Sequence, residues 1–172
     1  MRAVITGMLS LWLLSRPDVA AANDSQAERA TLAGLTPVSV VVEELSPIAE
    51  KSGLTTTALQ ADVERRFRQA GITLTPDADA YLYVHLTVAD PGGAGPVPYV
   101  VEVTLMQEVT LPRGLRTRTP LQCPTWWVNR LGLVSPEGLR RAVTDRVDEL
   151  VDQFVRAYQS VNAGAAGPRP SP

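Results

Sequence analysis

The sequence predicts an α+β fold, a two-layer sandwich in which two helices cover one face of a mainly antiparallel sheet of about four strands (β-α-β-β-β-α). Two observations carry the prediction. Thr55 to Ala70 and Ser135 to Val161 repeat apolar residues at helical spacing, so each presents one apolar stripe. Several other segments alternate apolar and polar residues with period two, so each presents one apolar face. Stripes and faces must bury against one another, and two layers is the economical way to do it. The opposite face of the sheet is then left to water or to a partner.

Composition bounds the rest. The chain has 172 residues, 45% hydrophobic and 20% charged, with a formal net charge of -2. That balance fits a folded domain and gives no general reason to bind nucleic acid. One cysteine cannot form an internal disulfide, and one histidine removes the imidazole clusters of most catalytic zinc sites. No cofactor is implied.

Residues 1–22 read as a signal peptide. Met1-Arg2 is a positive start, Ala3 to Leu14 an apolar run, and Ala20-Ala21-Ala22 a small-residue cleavage site. The run is too short for a spanning helix, which needs about 20 apolar residues. Cleavage after Ala22 leaves 150 residues, enough for one core without staples. The expected product is a periplasmic or secreted protein with no integral membrane span.

Residues 23–36 are polar and alanine-rich, and read as a loose leader or a short helix before a single domain over 37–162. From Pro37 to Glu43, Val38, Val40 and Val42 alternate as in a strand, and Ser46-Pro47 ends it with a loop to Gly53. In the first helix Leu59, Val63, Phe67 and Ala70 share a face. Threonines 55 to 57 supply an N-cap, Thr57 and Gln60 match a capping box, and Gly71 is placed to terminate. Ala80 to Ala89 alternates Leu82, Val84, Leu86 and Val88 against Tyr81, Tyr83, His85 and Thr87. After the Pro91 to Pro98 turn, Tyr99 to Leu111 sets Val101, Val103 and Leu105 against Glu102 and Thr104, which predicts a long antiparallel hairpin. Pro112 to Thr119 is a turn, and Pro120 to Val128 a less regular fourth strand. Ser135-Pro136-Glu137 opens the last helix, whose stripe runs Leu139, Val143, Val147, Leu150, Phe154, Tyr158, Val161, about 38 Å in length. Its other positions, with Asp145, Asp148, Glu149 and Asp152 beside Arg141, Arg146 and Arg156, read as a solvated face of mixed charge. Residues 163–172 read as a disordered tail.

The candidate binding residues are Tyr81, Tyr83 and His85 on the polar face of one strand, Arg113, Arg116 and Arg118 on a turn, and Trp126-Trp127. Guanidinium groups on a turn meet phosphate or carboxylate, and paired tryptophans favour interfaces, although one of two adjacent tryptophans in a strand usually faces the core. A Cys123–His85 nucleophilic pair requires the two side chains within about 4 Å, and nothing in the spacing brings them together. Asp77 and Asp79 read as a turn rather than a cation site. The Pro91 to Pro96 glycine cluster precedes a strand, not a helix, and lacks the lysine of a phosphate loop.

Gly53-Leu54-Thr55 through Ala70-Gly71-Ile72, with Tyr81-Leu82-Tyr83-Val84, is similar to small exported bacterial proteins of unassigned function. The layout also resembles the amino-terminal domain of TolB-type translocation proteins. These likenesses imply an α+β envelope protein and carry over no catalytic residue. The leading expectation is a non-enzymatic exported module binding an envelope protein or an anionic envelope component. The alternatives are a small-ligand or lipid carrier with a helix–sheet cavity lined by Phe67, Phe154 and Tyr158, and a thiol hydrolase.

Overall fold

A computed structural model describes residues 24–93, 95–110 and 121–163. The predicted signal peptide and the tail from residue 164 lie outside the described residues. The elements in order are α1 (Gln26–Ala30), β1 (Ser39–Val42), α2 (Pro47–Lys51), α3 (Thr56–Gln69), β2 (Tyr81–Val88), β3 (Val97–Val109), β4 (Leu121–Val134), a 3-10 turn (Pro136–Gly138) and α4 (Leu139–Asn162). The four strands form one sheet in sequence order. β1 lies parallel to β2, with α3 in the crossover, and the other two pairs are antiparallel. The α+β sandwich read from the sequence is the fold observed.

α3 forms where its stripe and caps agree. Thr55, rather than Thr57, is the cap, its hydroxyl accepting from Ala58 N at 3.2 Å. Leu59, Val63 and Phe67 are buried. Gly71 ends the helix at φ +75°, a conformation costly for any residue with a β-carbon, and Ile72 N donates back to Phe67 O at 2.9 Å. In α4 the buried positions are Leu139, Val143, Val147, Leu150 and Phe154, joined by Val151 and Ala157. Its start is later than expected: Ser135 begins the 3-10 turn, with Gly138 N donating to Ser135 O, and makes no side-chain cap.

The seam between the layers is filled with rings. Phe67 stacks on Phe154 with centroids 5.2 Å apart, and Trp126 meets Phe154 edge-on at the same separation. The residues expected to line a carrier cavity are Phe67, Phe154 and Tyr158. The first two are fully buried against each other and Tyr158 packs at the margin of the core. Apolar rings in van der Waals contact occupy the space that a ligand would need. Arg66 of α3 ties the helices together, bonded to Asp148 and Asp152 of α4 at 2.6 Å each. The acidic face of α4 is therefore partly an inter-helix clamp, not solvated throughout.

Three segments differ from expectation. The leader is packed: Ser25 and Glu28 form a reciprocal capping box, and Leu32 and Leu35 join the core. Asn162 at the end of α4 donates to Leu32 O and accepts from Gly34 N, both at 2.9 Å. The expected loop after Pro47 contains α2, capped by Ser46, with Ala49 wholly buried. β4 continues to Val134 because Tyr99 supplies the packing that Gly132 lacks. A β-carbon built on Gly132 would lie well inside van der Waals contact with the Tyr99 ring at Cζ. Tyr99 sits directly opposite Gly132 and is itself buried.

Candidate functional site

The helices leave the second face of the sheet uncovered, and strand alternation decides what lies on it. Leu82, Val84, Val101, Val103, Leu105, Trp126 and Val128 turn to the helices and are buried. Their neighbours turn outward. The register then aligns them in cross-strand rows: Tyr83–Thr104–Trp127 at the centre, Tyr81–Met106–Pro124 on one side, His85–Glu102–Asn129 on the other. A bulge at Leu105/Met106, with Thr125 as the extra residue on β4, brings Pro124 to this face.

The rows enclose an open depression of about 730 Å³ lined by Tyr81, Tyr83, Glu102, Thr104, Met106, Pro124 and Trp127. Thr104, the one buried polar residue among those described, is its floor, and its hydroxyl donates to Glu102 Oε1 at 3.2 Å. Adjacent strands lie about 4.8 Å apart, so Tyr83 and Trp127 stand roughly 10 Å apart, on either side of the smaller Thr104. His85 backs the Tyr83 wall, the two rings near-parallel with centroids 6.4 Å apart. The imidazole is held at both nitrogens, Nδ1 by Glu43 and Nε2 by Thr87 Oγ1 at 2.8 Å.

The expected site residues therefore separate. Tyr81, Tyr83 and Trp127 come together, with His85 behind them. Trp126 does not belong: it is fully buried, donating from Nε1 to Asp24 Oδ1 at 3.0 Å. Alternation sends one of two adjacent strand residues inward, and Trp126 shares the inward set with Val128. Arg113, Arg116 and Arg118 lie outside the described residues. Cys123 pairs with Gln107 and His85 with Glu102, five residues along β3, or about 17 Å. The histidine is also already bonded on both sides, so no Cys–His dyad forms. Sequence reasoning missed four lining residues. Glu102 and Thr104 carried a usable signal, the polar alternation of β3; Met106 and Pro124 depend on the bulge, which pattern does not show.

One further feature adjoins the depression. Ala89 N donates to Pro98 O, which fixes the phase of the ladders: alternate β3 residues from Val97 bond to β4. Backbone groups of Trp127, Asn129, Leu131 and Leu133 consequently point away from β3, to the outer edge of the sheet. Among the described residues no strand pairs with that edge. Leu131 and Leu133 are 73% and 66% exposed beside it. No helix among the described residues is long and apolar enough to cross a membrane.

Comparison with known proteins gives little beyond this. No protein-family model and no curated protein matches the chain, so the TolB likeness gains no support. Among solved structures, the chain is similar to a PelC dodecamer subunit from Paraburkholderia phytofirmans, at 15% identity and a TM-score of 0.39, over 72% of this chain and 86% of that one. It is also similar to a minor lipoprotein from Acinetobacter baumannii, at 16% identity and a TM-score of 0.35, over 74% and 93%. Likeness at that level transfers no function.

Proposed function

We propose that the protein is a non-enzymatic module of the bacterial envelope, exported by the segment 1–22, that holds a protein or envelope component on its open sheet face. The observation that carries this reading is the Tyr83–Thr104–Trp127 row, two half-buried aromatic residues flanking a small one on a face that none of the described helices covers. Water-facing aromatics brought together at one concavity are typical of contact surfaces, where a ring gains area at little entropic cost. The arginine turn that suggested an anionic partner lies outside the described residues, and the depression itself carries a carboxylate, Glu102. Cross-linking in envelope extract tests the reading with two variants, Tyr83→Ala and Trp127→Ala. Both positions are outside the core, so the variants fold, and the expected result is loss of a specific adduct formed by the unaltered protein. Adducts identical in all three proteins contradict it.

A further inference from the structure

The reading of the open face as a binding surface leaves its chemistry unspecified, and the lining residues specify it further. Tyr81, Tyr83 and Trp127 contribute three π systems, Glu102 one carboxylate, and among the described residues no arginine or lysine lines the depression. Aromatic faces carry negative potential at their centres and attract cations within about 6 Å. A group seated over Thr104 lies about 5 Å from the columns on which Tyr83 and Trp127 stand, with Glu102 two residues along β3 on the same face. Glu102 accepts from Thr104 at one oxygen, and among the described residues no basic side chain forms an ion pair with it. Met106 and Pro124 add apolar, polarizable surface suited to methyl groups. Resting on the binding-face reading, we infer that the depression is a site for an alkylated ammonium group, held between Tyr83 and Trp127 with its charge answered by Glu102.

An anion is disfavoured by Glu102, and a bare, strongly hydrated cation by walls that return few hydrogen bonds for its lost water. A methylated ammonium presents a low charge density and an apolar skin, which matches both features.

Titration calorimetry of the purified protein with choline, and with its uncharged carbon isostere in which tert-butyl replaces trimethylammonium, tests this. Choline binds saturably, and the isostere binds roughly tenfold more weakly, the share of affinity carried by charge. Glu102→Gln weakens choline and leaves the isostere unchanged; Trp127→Leu weakens both. Equal affinity for choline and the isostere, or no saturable choline binding, overturns the assignment, and both are read on the unaltered protein. If choline fails while envelope adducts still depend on Tyr83 and Trp127, the face binds and only the ammonium chemistry is wrong. If those adducts fail as well, the binding-face reading falls with it.

Discussion

Asp24, the first of the described residues, is tied to both layers at once. Its carboxylate accepts from Arg29 Nε and Nη2 at 2.7 Å each, from Trp126 Nε1 at 3.0 Å and from Gln153 Nε2 at 3.1 Å. Burial opposes ionisation, but the hydrogen bonds from Arg29, Trp126 and Gln153 outweigh it and hold the carboxyl below the usual aspartate range. A carboxyl depressed in this way adds stability that is complete above its unfolded pKa and is lost as pH falls through the folded one. Asp24→Asn should therefore cost about 2 kcal/mol in urea unfolding at neutral pH. The difference from the unaltered protein should narrow below about pH 4. A pH-independent difference would show that charge at Asp24 is not what matters. Gly132 is the second decisive residue. Gly132→Ala should destabilise because Tyr99 must leave its place, and Tyr99→Ala combined with Gly132→Ala should cost less than the two single changes added together. Strict additivity in that cycle would show that the ring and the glycine are not coupled.

At the scale of elements, stability concentrates where α3, α4 and β4 meet. Phe154 touches Phe67 on one side and Trp126 on the other. Phe154→Ala should cost about 3–5 kcal/mol by denaturant unfolding, and Phe154→Leu less, since it leaves a smaller void. A loss under 1 kcal/mol would mean that the seam is looser than its ring contacts require. The same elements show what a sequence can disclose. α3, α4, β2 and β3 were legible because periodic apolar residues must share a face, whatever the tertiary details. The second half of β4 was not, since Gly132 and the outward Leu131 and Leu133 break the alternation, and the reason lies across the sheet in Tyr99. The packing of the leader escaped, although a short helix there was one of its two readings, because the partners of Asp24 and Leu32, which are Trp126 and Asn162, are about a hundred or more residues away. Tyr81, Tyr83 and Trp127 were readable as outward-facing, but their convergence with Glu102, Thr104 and Met106 depends on register, which needs both hairpin partners at once.

For the whole molecule, the two faces of the sheet have opposite fates. One is sealed by α3 and α4; the other keeps half-buried aromatics in contact with water beside the long outer edge of β4. Edges of that kind are usually blunted by charge, proline or a bulge. Here Pro124 and the bulge sit at one end, while Leu131 and Leu133 leave the other unguarded. Replacing both leucines with lysine should leave Tm within a few degrees, because both side chains are largely exposed, and should suppress aggregation of concentrated protein measured by light scattering. Unchanged aggregation would mean that the edge is not its origin. The central claim, that the open face is the working surface, is tested most directly by a photo-cross-linking amino acid placed singly at Asn129 and Leu131, beside the depression but outside its lining, and, on the outer side of α3, at Arg65. Exposure of each protein to envelope extract should give a discrete adduct from Asn129 and Leu131 and none from Arg65. Adducts confined to Arg65, or spread evenly over all three positions, would contradict it.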